Sequence, residues 1–210
     1  MGSMRVAFFG GTFDPIHSGH LRIAAAAADA FALDRVLFAP VGEQPLKRKV
    51  SAASFADRLQ MVRLAVADDG HPRSDARFAV STVDRPREDG SPNYTVDTLS
   101  LLAGEYPDSR LFVLTGADSF LDLRQWRSPD RLLAMAEWIV VSRPDFSLTE
   151  SGVARVAITS QERARVHLLT EMHEDISATE LRRRLAAGES CAGLLLPAVG
   201  AYIQRHNLYR

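Results

Sequence analysis

One cysteine, Cys191, stands in 210 residues; it excludes an intramolecular disulfide and fits a reducing compartment, so a cytoplasmic location is expected. No apolar run reaches the ~18–20 residues of a membrane span, and no membrane partner is expected. No secretory signal is expected, because the apolar stretch at 6–9 is short and runs straight into Gly10-Gly11. Neither sign of charge is in excess: 25 Lys+Arg against 26 Asp+Glu leave a net charge of −1, which argues against a general attraction for nucleic acid. The run Arg182-Arg183-Arg184 lacks interleaved aromatics and does not change that expectation. Dense His/Asp/Glu clusters are absent, so no fixed metal site is expected. Repeats, low-complexity tracts and long linkers are absent as well. Met1-Gly2-Ser3 ahead of Met4 reads as a cloning remnant, which leaves 4–210 as one expected domain. A homo-oligomer is compatible with all of this.

What is present is an ordinary globular composition, 46% apolar and 24% charged, long enough to bury about 70% of its extended surface without a staple. Short apolar runs at 5–9 (RVAFF), 35–41 (RVLFAPV), 111–114, 138–141 and 166–169 read as strands, with a further alternating strand at 78–82. The alanine-rich stretch 21–33 favours helix. Ser54 is placed to cap a helix with Phe55, Leu59, Val62 and Val66 on one face. A helix over 95–106 is expected to turn Val96, Leu99, Leu102 and Ala103 inward, and shorter helices are expected at 178–187 and 197–206. Residues 42–51 and 86–92 read as loops, and 145–165 are less legible. Strands alternating with helices mean an α/β fold with a mainly parallel sheet.

The most informative segment lies between the first strand and the first helix: GGTFDPIHSGH, residues 10–20. In open α/β sheets ligands bind at the carboxyl ends of strands. Gly10 and Gly11 allow backbone to approach a ligand, and Ser18-Gly19 offers a helix start whose N–H groups attract anions. His17 and His20, three apart, can present both rings on one side of the first turn, where imidazoles donate to phosphate oxygens. Each histidine alone could be an ordinary core or surface residue. Neither of the common glycine-rich phosphate-binding patterns occurs in the chain.

This segment resembles the T/H-x-G-H signature of the nucleotidyltransferase superfamily, and Ile176-Ser177-Ala178-Thr179-Glu180-Leu181-Arg182 resembles its I-S-x-T-x-x-R motif. The second motif also has a plain structural reading, a capping box of Ser177 with Glu180 and a staple of Ile176 with Leu181. The two readings are compatible, since a capped helix start is still a dipole end where Thr179 and Arg182 suit triphosphate oxygens. Asn93-Tyr94-Thr95, Gly116-Ala117-Asp118, Leu123-Arg124-Gln125-Trp126, Arg143-Pro144 and Tyr202-Ile203…Leu208-Tyr209 follow in the order of bacterial nicotinate mononucleotide adenylyltransferases. Taken singly, Trp126 could be core and Tyr94-Thr95 a helix entry. One departure from that family is Gln44-Pro45-Leu46-Lys47, where its usual P-P-H-K has a histidine at the place of Leu46.

The resemblance implies a Rossmann-like, doubly wound α/β fold with helices on both faces of a mainly parallel sheet and a short helical C-terminal segment. It implies transfer of AMP from ATP to nicotinate mononucleotide, with Mg²⁺ carried in on ATP and keeping several waters. Implied ATP-binding residues are Gly10, Gly11, Thr12, Phe13, His17, His20, Lys47, Gly116, Asp118, Ser177, Thr179 and Arg182, with His17, His20 and Arg182 catalytic. Implied acceptor-binding residues are Thr12, Phe13, Tyr94, Thr95, Trp126 and Arg127, Trp126 stacking on the pyridine ring. Arg48 and Lys49 either share the role of Lys47 or simply solvate the loop. Cys191 is read as structural. Alternatives are an amide acceptor, nicotinamide mononucleotide, or dual specificity, and, in another class, a silent nucleotide-binding sensor.

Overall fold

The computed structural model describes residues 2–43, 51–67, 77–142, 150–153, 156–170 and 176–210. Lys47, its neighbours Gln44, Pro45, Leu46, Arg48 and Lys49, and the pair Arg143-Pro144 lie outside them. The described strands are β1 Arg5–Gly11, β2 Arg35–Pro40, β3 Phe78–Val80, β4 Arg110–Gly116, β5 Glu137–Val141 and β6 Val166–Leu169. They form one sheet in the order β3-β2-β1-β4-β5-β6, with every pairing parallel. The expectation of a mainly parallel sheet is therefore met by a wholly parallel one. That strand order is the doubly wound Rossmann arrangement, whose direction reverses between β1 and β4.

The strand sequences explain how both faces are covered. Residues alternate across the sheet, so Ala7 and Phe9 of β1 enter one core while Val6 and Phe8 enter the other. Val36 and Phe38 against Leu37 and Ala39 in β2 do the same, as do Phe112 and Leu114 against Leu111 and Val113 in β4. Strands apolar on both sides need helices on both sides. One face takes α1 (Ser18–Ala30), α2 (Phe55–Ala67), α8 (Ala178–Ala186) and α9 (Pro197–Arg205). The other takes α3 (Thr95–Glu105), α4 (Ala117–Leu121) and α5 (Pro129–Met135). Two one-turn helices, α6 (Glu150–Val153) and α7 (Ser160–Arg163), occupy the stretch that sequence left unread.

Three local expectations are corrected. The inward face of α2 is Arg58, Met61, Val62 and Ala65, with Phe55, Leu59 and Val66 only half-buried. In α3 Ala103 is exposed and Thr98 is buried instead, because the Thr98 hydroxyl donates to the buried Asp84 carboxylate. Ser177 is the N-cap residue of α8, but its side chain makes no cap hydrogen bond. Glu180 is committed to Arg183 and Arg184, each at 2.9 Å or less, and Arg183 first, then Arg184, hold its carboxyl down to about 2. A carboxylate so engaged does not reach back to close a capping box.

Candidate active site

The carboxyl ends of β1 and β4 open onto two adjoining chambers. The larger, about 930 Å³, is lined by Gly10, Gly11, Thr12, Phe13, His17 and His20 from the first crossover. From across the cleft come Gly116 and Asp118 at the end of β4, and Ser177, Thr179 and Arg182 at the start of α8. Segments more than 150 residues apart in sequence thus converge on one cavity. The smaller chamber, about 580 Å³, is lined by Tyr94, Thr95, Trp126 and Arg127 together with Asp84 and Asn93. Gly10, Gly11, Val41, Thr115 and Ser119 border both. Thr12 and Phe13, expected beside both substrates, face the larger chamber only.

The histidine segment is held by its own local chemistry. His17 is the N-cap residue of α1, so the helix starts at Ser18, three residues before the alanine-rich run suggests. The His17 backbone N–H donates to His20 Nδ1 at 3.3 Å, which places the ring proton of a neutral His20 on Nε2. The two rings lie 3.7 Å apart at 34°, and Phe13 meets His20 edge-on at 5.1 Å. Ser18 does not offer its N–H to a ligand, because that group donates to the Leu194 carbonyl at 3.0 Å and the Ser18 hydroxyl bonds the same carbonyl. Gly116 leaves room for the Asp118 carboxylate, whose Oδ1 lies 2.6 Å from where a Cβ would stand.

Two buried ionic residues escaped the sequence reading. Arg58, only 2% exposed, donates from one guanidinium nitrogen to the Thr12 carbonyl at 2.7 Å and the Val41 carbonyl at 2.9 Å. It ties the loop after β1 to the segment after β2, and each carbonyl left unmet would cost about 1–3 kcal/mol. Burial lowers its pKa, while the nearby Asp14 and Tyr209 act in the opposite direction. Asp84, on the wall of the smaller chamber, is pushed up to about 6 by burial, against the pull of Thr98 and Arg87. Its carbonyl accepts from the Gly42 N–H at 2.7 Å, and Asn93 bonds both Glu43 and Arg85, so the chamber wall is pinned to the strand ends.

In the smaller chamber Trp126 is half-buried with its ring edge-on to the fully buried Trp138, 5.8 Å between centroids at 68°. The Arg127 guanidinium lies over the Tyr94 ring at 4.6 Å. Arg182 reaches across the larger chamber, donating to the Asp14 carbonyl at 2.6 Å and the Thr179 hydroxyl at 3.2 Å. Among the described residues no three His, Cys, Asp or Glu side chains gather into a metal-ligand set, and no helix is long and apolar enough to cross a membrane. A cavity lined by the imidazoles of His17 and His20 and the guanidiniums of Arg58 and Arg182 suits anionic oxygens, and an aromatic-walled one beside it suits a flat ring.

Comparison with known proteins agrees. The cytidylyltransferase-like family profile matches residues 8–184. A Roseiflexus sp. (strain RS-1) protein named probable nicotinate-nucleotide adenylyltransferase is 42% identical over 212 residues, covering all of both chains. Proteins of the same name from Citrifermentans bemidjiense and Neisseria meningitidis serogroup B are each 39% identical, over 98% of both chains. The fold is that of Plasmodium falciparum nicotinic acid mononucleotide adenylyltransferase solved with NaAD, with a TM-score of 0.78 at 18% identity over 98% of this chain and 97% of that one. With the strand order, the GGTFDPIHSGH crossover and the α8 start all accounted for, the chain belongs to the nicotinate-nucleotide adenylyltransferase family of cytidylyltransferase-like proteins.

Proposed function

We propose that the larger chamber takes ATP, the smaller takes nicotinate mononucleotide, and the two meet where reaction occurs, beside Gly10 and Gly11. The activity is that of the family: AMP passes from ATP to nicotinate mononucleotide, giving nicotinate adenine dinucleotide and pyrophosphate. The observation that supports the chamber assignment is the shared border at the β1 and β4 ends, where an acceptor phosphate and an α-phosphate would come within reach of each other.

The acceptor phosphate, with a second pKa near 6, is mostly dianionic at neutral pH and needs no general base. One of its oxygens bonds to the α-phosphorus as the bond from that phosphorus to the bridging oxygen breaks, and the electron pair leaves on pyrophosphate. The protein contributes position and charge stabilisation. His17 and His20 donate to the phosphate oxygens nearest the reacting centre, and Arg182 and Lys47 neutralise the outer phosphates. Mg²⁺ arrives as part of the ATP substrate. Asp118 binds the adenosine ribose, Trp126 stacks on the pyridine ring, and donors around Thr95 and Arg127 meet the nicotinate carboxylate.

Two measurements follow. Pyrophosphate release from ATP, with the acid and amide mononucleotides offered separately, is expected to show kcat/KM at least about tenfold higher for the acid, a gap of ~1.4 kcal/mol. Equal rates would replace acid selectivity with dual specificity, and release with neither acceptor would refute catalysis. Arg182→Ala is expected to raise the ATP KM at least about tenfold, as hydrogen bonds to charged groups contribute about 1.5–3 kcal/mol. Its thermal midpoint should fall only modestly, because the bonds lost are those to the Asp14 carbonyl and the Thr179 hydroxyl, while the Leu181 N–H bond to the Ser177 carbonyl that starts α8 remains. A large fall in midpoint with ATP KM unchanged would make Arg182 purely structural.

A further inference from the structure

Asp14 joins distant parts of the chain beside the larger chamber. Its carboxylate accepts from the backbone amides of Ala52 at 2.7 Å and Ala53 at 3.1 Å, and from the hydroxyl of Tyr209 at 2.7 Å. Its carbonyl is the acceptor for Arg182. Asp14 is 5% exposed and lines the chamber, as do Ala52 and Ala53. Tyr209 is not among the residues that line the chamber, and its hydroxyl bonds Asp14 from 195 positions along the chain. The backbone turns sharply to deliver it, with φ of 53° at Asn207 and 62° at Tyr209, a conformation that side-chain-bearing residues adopt at a cost.

We infer that Tyr209 is a positioning residue for ATP: by holding the Asp14 carboxylate it fixes the carbonyl against which Arg182 is aimed and the amides at Ala52 and Ala53. The inference rests on the larger chamber taking ATP. Burial, and then the Asp14 hydrogen bond, keep the hydroxyl well above the ordinary tyrosine range, so it remains a donor at every working pH. Arg58 and Arg182 pull the other way, which puts Tyr209 within the electrostatic reach of both guanidiniums of the site. The second tyrosine of this segment, Tyr202, donates instead to Asp57 at 2.9 Å, outside the chamber wall. The two hydroxyls therefore separate support of the site from general docking of α9.

The test is steady-state kinetics on Tyr209→Phe, Tyr202→Phe, Asp14→Asn and the double variant Tyr209→Phe/Asp14→Asn, with calorimetric ATP binding to each. Tyr209→Phe is expected to raise the ATP KM about fivefold to tenfold and to shift the acceptor KM less than about twofold. Tyr202→Phe is expected to lower the thermal midpoint with ATP KM unchanged. The double variant is expected to be no worse than Asp14→Asn, the pattern of two residues acting through one bond. Equal rises in both KM values for Tyr209→Phe, the same ATP effect from Tyr202→Phe, or multiplicative losses in the double variant would each overturn the inference. Normal ATP binding by the unaltered protein with an unchanged KM in Tyr209→Phe overturns the role of Tyr209 alone. Failure of the unaltered protein to bind ATP overturns the chamber assignment along with it.

Discussion

His20→Ala is expected to lower kcat by about 10²–10³ and to leave the ATP KM within about threefold of the unaltered enzyme, the cost of removing one donor aimed at developing charge. The expectation comes from how the ring is fixed. Its Nδ1 is occupied by the His17 N–H at 3.3 Å, His17 lies against one face at 3.7 Å, and Phe13 closes the edge at 5.1 Å. A ring held on three sides costs little to organise, and under the proposed function its Nε2 proton would meet charge that peaks in the transition state. Such an interaction shows in kcat. Pyrophosphate release at saturating ATP measures it, and a raised KM with kcat intact would reassign His20 to uniform substrate binding.

Trp126→Ala is expected to raise the acceptor KM at least about tenfold, since stacking contributes about 0.5–1.5 kcal/mol beyond the area it buries. The ring is braced edge-on at 5.8 Å by Trp138, a wholly buried residue of β5. The ATP KM should change less than about twofold, because Trp126 borders only the smaller chamber. The acid-to-amide preference should survive, because the proposed function assigns it to a separate set of donors near Thr95 and Arg127. Kinetics with both acceptors on this variant check both statements, and a collapsed preference would move the selectivity onto the indole.

The histidine crossover was legible in sequence because its residues are neighbours and act within one helical turn. The same holds for the α8 start, whose Ser177, Thr179 and Arg182 span six positions. What was not legible depends on contacts set by tertiary packing. Arg58 looks like a solvent-facing charge if Phe55, Leu59, Val62 and Val66 define the buried face. Two strand-end carbonyls, of Thr12 and Val41, need a donor, and the helix lies rotated to supply one. Asp84 has no local signature, since Thr98 lies fourteen residues on and neither residue stands in a recognisable pattern. The lost capping box of α8 has the same origin, since Arg183 and Arg184 compete for Glu180 more strongly than one backbone N–H does. Division of the cleft into two chambers sharing the ends of β1 and β4 needs the sheet order, which pattern alone leaves open.

The central claim is that the two substrates occupy separate chambers that meet at Gly10 and Gly11. It is tested most directly by calorimetric titration of ATP and of nicotinate mononucleotide, each alone, into Arg182→Ala and Trp126→Ala. Arg182→Ala should bind ATP at least about tenfold more weakly with acceptor affinity unchanged, and Trp126→Ala should show the reverse. If each variant weakened both ligands alike, the chambers would not be separate sites and the account would be wrong.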